Sequence, residues 1–168
     1  IEIQTANGDI ETNTAGILTA TAEGGTVTVG ATQGNIVLGG TATADQKVKI
    51  DATAGNATLN GAVESVNGEV EVTAQNDVTT NASVKAKTDV TLSSTDGGVT
   101  TGEKVTATSG NVNVTAQGAV ETDKVIYGGT DVTLLSKNAT VLANDTVTAE
   151  SGDVTVNAST GIETTKAL

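Results

Sequence analysis

Short segments in which valine, isoleucine or leucine alternates with polar residues recur along the whole 168-residue chain. After the first copy, the starts of a V-x-V or V-x-L pattern are 20 to 22 residues apart. A regular period of this size is typical of repeat architectures. Alternation of β-branched and polar residues predicts strands with one buried and one solvated face. The pattern begins at Ile1, Val27, Val48, Val70, Val90, Val112, Val132 and Val154.

Each repeat contains three such segments, for example Val70–Ala74, Val78–Thr80 and Val84–Ala86. A strand of three to five residues cannot bury its apolar face alone, whereas stacked coils pair their backbones and close a continuous core. The pattern therefore predicts an all-β fold, a right-handed parallel β-helix (β-solenoid) with three short strands per coil and about eight coils of 20–22 residues. The right hand follows the general rule for parallel crossovers. A rise of ~4.8 Å per coil predicts a rod ~35–40 Å long.

Columns of equivalent residues predict how the coils lie in register. We expect the hydroxyls of Thr80, Thr101 and Thr122 to hydrogen-bond to one another along the rod axis. On the outward face, Lys49 should pair with Glu71, and Glu64 with Lys85, across adjacent strands. The third inward position of the first strand is small in every repeat: Thr5, Ala31, Ala52, Ala74, Ser94, Ala116, Ser136 and Ala158.

Glycine or asparagine recurs at the corner after the first strand, at Gly8, Gly34, Gly55, Asn76, Gly97, Gly118, Asn138 and Gly161. These residue types tolerate a left-handed backbone, so a stack of bends at positive φ is expected. The first repeat is longer, and we place an insertion of about four residues near Thr14–Ile17. Tyr127 falls in a slot where other repeats carry Ala or Ser, which predicts a packing irregularity.

The sequence shows no linker composition between repeats and predicts no capping helix at either end. Uncapped solenoids expose strand edges that pair with other chains. We therefore interpret residues 1–168 as one β-helix segment, a fragment of a longer repetitive rod.

The amino-acid composition mainly excludes classes of function. Twenty acidic residues against eight lysines give a net charge of −12, and the chain has no Arg, His or Cys. The chain therefore offers no thiolate or imidazole for catalysis, and the usual zinc, haem or iron–sulfur sites lack their ligands. An acidic surface repels nucleic-acid phosphates, and no apolar run approaches the ~20 residues of a membrane span. We therefore expect no enzyme activity, no cofactor, no nucleic-acid partner and no membrane insertion.

Two repeat segments, Gly110–Ala116 (GNVNVTA) and Gly152–Ala158 (GDVTVNA), resemble those of filamentous-haemagglutinin-type exoproteins, the large bacterial adhesins of two-partner secretion. Autotransporter passengers carry similar repeats, so both secretion routes stay open. The resemblance covers nearly the whole chain. It implies a β-helical shaft, secreted or displayed on the bacterial cell surface, that holds adhesive parts away from the cell. It also implies an outer-membrane secretion transporter as a partner, besides neighbouring coils of the same parent chain. The family's amino-terminal secretion domain carries Asn-Pro motifs, and since this chain has no Pro it corresponds to the shaft.

A second interpretation stays open. The chain would then be an adhesive binding module that contacts a host-cell receptor or glycan through its own loops, the insertion near Thr14–Ile17 first among them. Asn-x-Ser/Thr sequons, which accept glycans in secreted proteins, occur at Asn56, Asn81, Asn113, Asn138, Asn144 and Asn157.

A column of acidic and amide residues precedes the first strand of successive coils. Its side chains offer oxygen ligands of the kind that calcium prefers. The same residue types also suit solvated turns, so we assign no metal site to them. The column consists of Glu69, Asp89, Asn111, Asp131 and Asp153.

Overall fold

The computed structural model describes every residue from Ile1 to Leu168, and it contains strands and turns but no helix. Twenty-three strands, numbered β1 to β23 in chain order, form three parallel sheets. Sheet A contains β1 (Glu2–Thr5), β4 (Thr26–Ala31), β7 (Lys47–Ala52), β10 (Glu69–Ala74), β13 (Val90–Ser94), β16 (Val112–Ala116), β19 (Val132–Ser136) and β22 (Val154–Ala158). No segment forms a helix of the length and hydropathy needed to cross a membrane.

The other two sheets consist mostly of three-residue strands. Sheet B contains β2 (Ile10–Thr12), β5 (Ile36–Leu38), β8 (Ala57–Leu59), β11 (Val78–Thr80), β14 (Val99–Thr101), β17 (Val120–Thr122), β20 (Thr140–Ala143) and β23 (Gly161–Thr164). Sheet C contains β3 (Leu18–Ala20), β6 (Ala42–Ala44), β9 (Val63–Ser65), β12 (Val84–Ala86), β15 (Val105–Ala107), β18 (Ile126–Gly128) and β21 (Val147–Ala149).

One coil runs through sheet A, sheet B and sheet C in turn. We call the A-to-B turn the first corner, the B-to-C turn the second and the C-to-A turn the third. Seven complete coils are followed by β22 and β23. The eight strands of sheet A, spaced by about 4.8 Å, give a ladder about 34 Å long. The predicted parallel β-solenoid with three strands per coil is confirmed, and its right hand stays a prediction.

The register of sheet A follows the valine alignment. Val70 pairs with Val48 on one side and with Val90 on the other. The predicted ion pairs across adjacent strands are also confirmed, with Nζ–Oε1 distances of 3.8 Å for Lys49–Glu71 and 2.7 Å for Lys85–Glu64. Alternation thus determines both which residues enter the core and which side chains face each other outside it.

The core is a continuous aliphatic cluster of 35 buried residues, all of them Val, Ala, Ile or Leu. The predicted hydrogen bonds among Thr80, Thr101 and Thr122 are wrong. These side chains are fully buried and stacked in register, but none of their Oγ1 atoms has a hydrogen-bond partner. Each hydroxyl is therefore desolvated without compensation, which costs free energy of folding.

The predicted left-handed corner stack is also wrong. Positive φ occurs only at Gly8 (95°), Gly24 (76°) and Gly34 (147°). Several other corner glycines are required by space. A Cβ on Gly55 would lie 2.1 Å from the carbonyl oxygen of Gly34 in the preceding coil. Backbone of one coil thus lies directly on backbone of the next, and glycine is needed for that approach.

Long and short coils alternate after β7. Three residues separate β10 from β11 and β12 from β13, whereas four separate β13 from β14 and β15 from β16. Serine closes three of the corners. The Ser65 hydroxyl donates to Gln46 O at 3.0 Å and accepts the Gly68 N–H at 3.2 Å. Ser94 and Ser136 each bond in the same way to a backbone carbonyl and to the N–H three residues on.

The first coil is longer at two corners, which corrects the expected single insertion near Thr14–Ile17. Its second corner has five residues, 13–17, where the next coil has three, 39–41. Its third corner has five residues, 21–25, where the next coil has two. The spacing of alternating segments in the sequence does not show where each corner ends, so all of the extra residues were assigned to the second corner.

The expected irregularity at Tyr127 is absent. Ile126 takes the inward position and pairs with Val105, whereas Tyr127 pairs with Thr106 on the outward face. Gly128 then occupies the inward slot beside Ala107. Val125 and Ile126 are both apolar, so alternation alone allows either of them to be the first inward residue. The choice of Val125 wrongly turned Tyr127 inward, whereas the regular strand that begins at Ile126 turns it outward.

Candidate functional site

A shallow groove of about 350 Å³ opens at the third corner, between the second and fourth coils. It is the only pocket of the chain. Every lining residue is polar or glycine, and most of the side chains carry hydrogen-bonding groups. The lining consists of Gln46, Lys47, Asn67, Gly68, Glu69 and Thr88.

The close packing of coils fixes the backbone of the groove. A Cβ on Gly68 would lie 1.6 Å from Gln46 O, so only glycine fits between these two corners. The Glu69 N–H also donates to Gln46 O at 2.9 Å. These contacts hold the lining residues of successive coils at a constant separation.

Asp45, the only buried acidic residue, is bonded to side chains that line the groove. It is 7% exposed, although it carries a carboxylate. Its Oδ1 accepts the Asn67 Nδ2–H at 2.6 Å, and its Oδ2 accepts the Gly24 N–H at 2.8 Å and the Gln46 Nε2–H at 3.2 Å. The hydrogen bond from Asn67, followed by that from Gly24, lowers the pKa of Asp45 below its usual 3.8. One carboxylate thus ties together three successive coils.

A chain of ion pairs borders the groove on sheet A. Lys47 Nζ lies 2.7 Å from Glu69 Oε1 and 2.7 Å from Glu71 Oε2. These bonds, first that with Glu69, raise the pKa of Lys47 above 10.5. The bond from Lys47 also lowers the pKa of Glu71 below 4.5. Both groups are charged at neutral pH, and the ammonium is held between two carboxylates.

We expect Asp45→Asn to destabilise the protein at neutral pH, because an amide would turn an N–H₂ group towards at least one of the present donors. The folded pKa of Asp45 lies below its unfolded value, so the ionised carboxylate stabilises the fold above about pH 4. This contribution is lost as pH falls through the lowered folded pKa. The melting temperature of the variant should therefore be lower than that of the unchanged protein at pH 7, and the difference should narrow as the pH is lowered to 2.

Asp51→Asn is the matched control for that prediction. Asp51 lies on the outward face of β7, and its carboxylate accepts one hydrogen bond, from Thr53 Oγ1 at 3.5 Å. Its replacement should leave the melting temperature nearly unchanged throughout the pH range. A pH-independent deficit for Asp45→Asn would show that the carboxylate charge is not what stabilises this corner.

The acidic column before the first strand forms a ladder of hydrogen bonds. Asp89 Oδ1 accepts the Asn111 N–H at 2.7 Å, and Asp131 Oδ1 accepts the Asp153 N–H at 2.8 Å. Asn111 Oδ1 bonds in the same way to the Asp131 N–H at 3.1 Å. These oxygens satisfy backbone groups of the next coil, and no group of three or more metal-ligating His, Cys, Asp or Glu side chains converges in the chain.

Three of the six sequon asparagines bond to the neighbouring coil. Asn56 donates through Nδ2 to Asn35 Oδ1 at 2.9 Å and accepts the Asp77 N–H at 3.0 Å. Asn81 and Asn144 also donate through Nδ2, at 2.8 and 2.9 Å, to the Asn60 and Asp123 side chains.

The other three sequon asparagines have no side-chain hydrogen bond. Asn113 is half-buried on the outward face of sheet A, whereas Asn138 and Asn157 are exposed. Glycosylation stays a prediction. Steric access and free amides favour Asn138 and Asn157.

The outward Tyr127 is the only aromatic side chain. Its hydroxyl donates to Glu150, and this bond raises the pKa of Tyr127 above 10.0. The Lys104 ammonium lies 5.9 Å from the centre of the ring. Tyr127 therefore stabilises the surface between coils, with its hydroxyl bonded and a cation over its ring.

The groove is the feature that sequence reasoning missed. The available signal was the 22-residue separation of Lys47 and Glu69, which places a lysine and a glutamate one coil apart.

No protein-family model, curated protein or solved structure matches this chain.

Proposed function

We propose that this chain is the structural shaft of a secreted or surface-displayed bacterial adhesin or exoprotein, a rigid spacer that presents adhesive parts away from the cell. One observation carries the proposal: three parallel sheets run without a break through all seven coils. Bending such a rod would stretch backbone hydrogen bonds on one side and compress side chains on the other. The fold supports the spacer role, and the repeat resemblance supports the adhesin setting.

Secretion through an outer-membrane transporter belongs to the same proposal. A chain without Cys carries no thiols that could cross-link during export. An antibody raised against this chain should label intact producing cells or bind protein in their culture medium. Labelling only after lysis would contradict the proposed location.

Removing residues 70–111 from the parent protein tests the spacer role. This segment is one short and one long coil, so Glu69 would be joined to Val112 and the stack would stay in register. We expect a folded rod about 10 Å shorter, with adhesion of the producing cells to a host-cell monolayer retained. Loss of adhesion from a correctly folded, surface-displayed variant would contradict a pure spacer.

A second candidate function, the binding module, has one observation in its favour. Ile17, on the longer second corner of the first coil, is 69% exposed and is the most exposed large apolar side chain. If this corner contacts a receptor, Ile17→Ser should lower adhesion, whereas Ile162→Ser, at a side chain 47% exposed near the other end, should not. If cells that carry either variant adhere as well as cells that carry the unchanged protein, the result would support the spacer role instead.

A further inference from the structure

We propose that the groove at the third corner binds a neutral saccharide. This role goes beyond the proposed shaft, and it does not depend on it.

The hydrogen-bonding capacity of the groove suits a ligand rich in hydroxyl groups. Asn67 Oδ1, Gln46 Oε1 and Thr88 Oγ1 have no partner in the protein. Glu69 adds a carboxylate acceptor, and the Lys47 ammonium adds a donor. A sugar hydroxyl both donates and accepts, so it can bond to each of these groups. A volume of about 350 Å³ lies in the range of small-molecule sites.

Side chains of the groove are held in place before a ligand arrives. The buried Asp45 carboxylate accepts N–H groups from both Gln46 and Asn67, which fixes the orientation of the two amides. Their oxygens are then directed away from Asp45. Lys47 in turn holds Glu69 at 2.7 Å. A buried charged group that orients polar lining side chains is the arrangement expected of a preorganised binding site, and Asp45 is a positioning residue in it.

Charge selects the ligand class. Within the groove, one ammonium, Lys47, faces one carboxylate, Glu69. An anionic ligand meets Glu69 and a chain of net charge −12, and a cationic ligand would have to displace the Lys47 ammonium from the Glu69 carboxylate, which it contacts at 2.7 Å. An apolar ligand would leave the polar lining unpaired. A neutral polyol avoids all three penalties. Because no aromatic ring is available for stacking, the affinity should be in the millimolar range.

Nuclear magnetic resonance titration of the ¹⁵N-labelled chain tests this proposal. The neutral probes are glucose, galactose, mannose and N-acetylglucosamine, and the charged probes are glucuronate and spermidine. Each is added up to about 50 mM, which is enough to saturate a site with a dissociation constant in the millimolar range. We expect saturable shifts with at least one neutral sugar at the amides of Gln46, Asn67, Gly68, Glu69 and Thr88. Absence of saturation for every neutral sugar, or saturation by a charged probe alone, would overturn the proposal.

Two groove variants and one control locate the binding. Glu69→Gln and Thr88→Val should each weaken sugar binding by about three- to tenfold, the loss expected for one hydrogen bond. Glu64→Gln removes the comparable exposed ion pair with Lys85 on sheet C, away from the groove, and should leave the affinity unchanged. Equal affinity of all three variants and the parent, or shifts centred elsewhere, would place any binding outside the groove and refute the assignment.

Discussion

Replacing Thr80, Thr101 and Thr122 together by valine should make the protein more stable by about 3 kcal/mol, or about 1 kcal/mol per residue. Each hydroxyl is fully buried without a partner, and valine has nearly the same shape without the polar group. The gain comes from removing three uncompensated desolvation costs in adjacent coils. Denaturant unfolding gives the free energy of unfolding, and hydrogen exchange at Val78–Val120 shows whether the added stability is local to these coils.

The neighbouring outward threonines provide a matched control. Thr58, Thr79 and Thr100 lie on adjacent strands of the same sheet, in register, and their hydroxyls face solvent. Their triple replacement by valine should change stability by no more than about 0.5 kcal/mol per residue. If the inward triple variant is no more stable than the outward one, the buried hydroxyls must be hydrogen-bonded in solution.

Gly61→Ala should destabilise the protein by about 3 kcal/mol, because an added methyl group overpacks the second corner. Its Cβ would lie 1.9 Å from the carbonyl oxygen of Gly40 in the preceding coil. Backbone atoms cannot rotate away as a side chain can, so two coils would have to separate locally. The shift of the denaturation midpoint relative to the parent protein measures this effect.

Gly102→Ala is the control at the same corner. The nearest atom to its added Cβ, Thr80 O, lies at 3.5 Å, an ordinary van der Waals distance. Alanine there should be within about 0.5 kcal/mol of the parent, or slightly better through the lower entropy of the unfolded chain. If the two alanine variants are equally stable, the close backbone approach of stacked coils is not what selects glycine at Gly61.

Strand positions could be predicted because each inward residue is determined by alternation and each coil repeats it. Val48, Val70 and Val90 lie in register as their spacing indicates. The alignment failed at Val125–Ile126, where two adjacent apolar residues fit the alternation in either register. There the six-residue interval from Val120 to Ile126, shared with other coils, was the better guide.

Corner residues could be predicted, but the conformation of the corners could not. Glycine serves both for positive φ and for close approach, and composition does not distinguish the two uses. Gly34 has positive φ, whereas Gly55, in the next coil, does not. The distance between stacked backbones decides which use applies, and that distance is a property of the assembled coils.

Side-chain partners of the interior and of the groove were beyond sequence reasoning for a related reason. Sequence spacing places the threonines one coil apart, but whether their hydroxyls bond to one another depends on the rotamer of each side chain, which packing across the core determines. Likewise, nothing in the sequence near Asp45 indicates that its carboxylate joins Gly24 to Asn67, because these residues are 43 positions apart and meet only after two coils have stacked.

The distance between two labels along one outward column tests the stacked rod most directly. Thr28 and Thr155 occupy the same column of sheet A, six strand spacings apart. The chain has no Cys, so Thr28→Cys and Thr155→Cys can carry spin labels without background labelling. Pulsed electron paramagnetic resonance should give one narrow distribution of distances between the labels, consistent with a Cα separation of about 29 Å. The pair Thr28 and Asn113, four spacings apart, should give a distance about 10 Å shorter. A broad distribution, or distances that do not grow with the number of coils, would contradict the account.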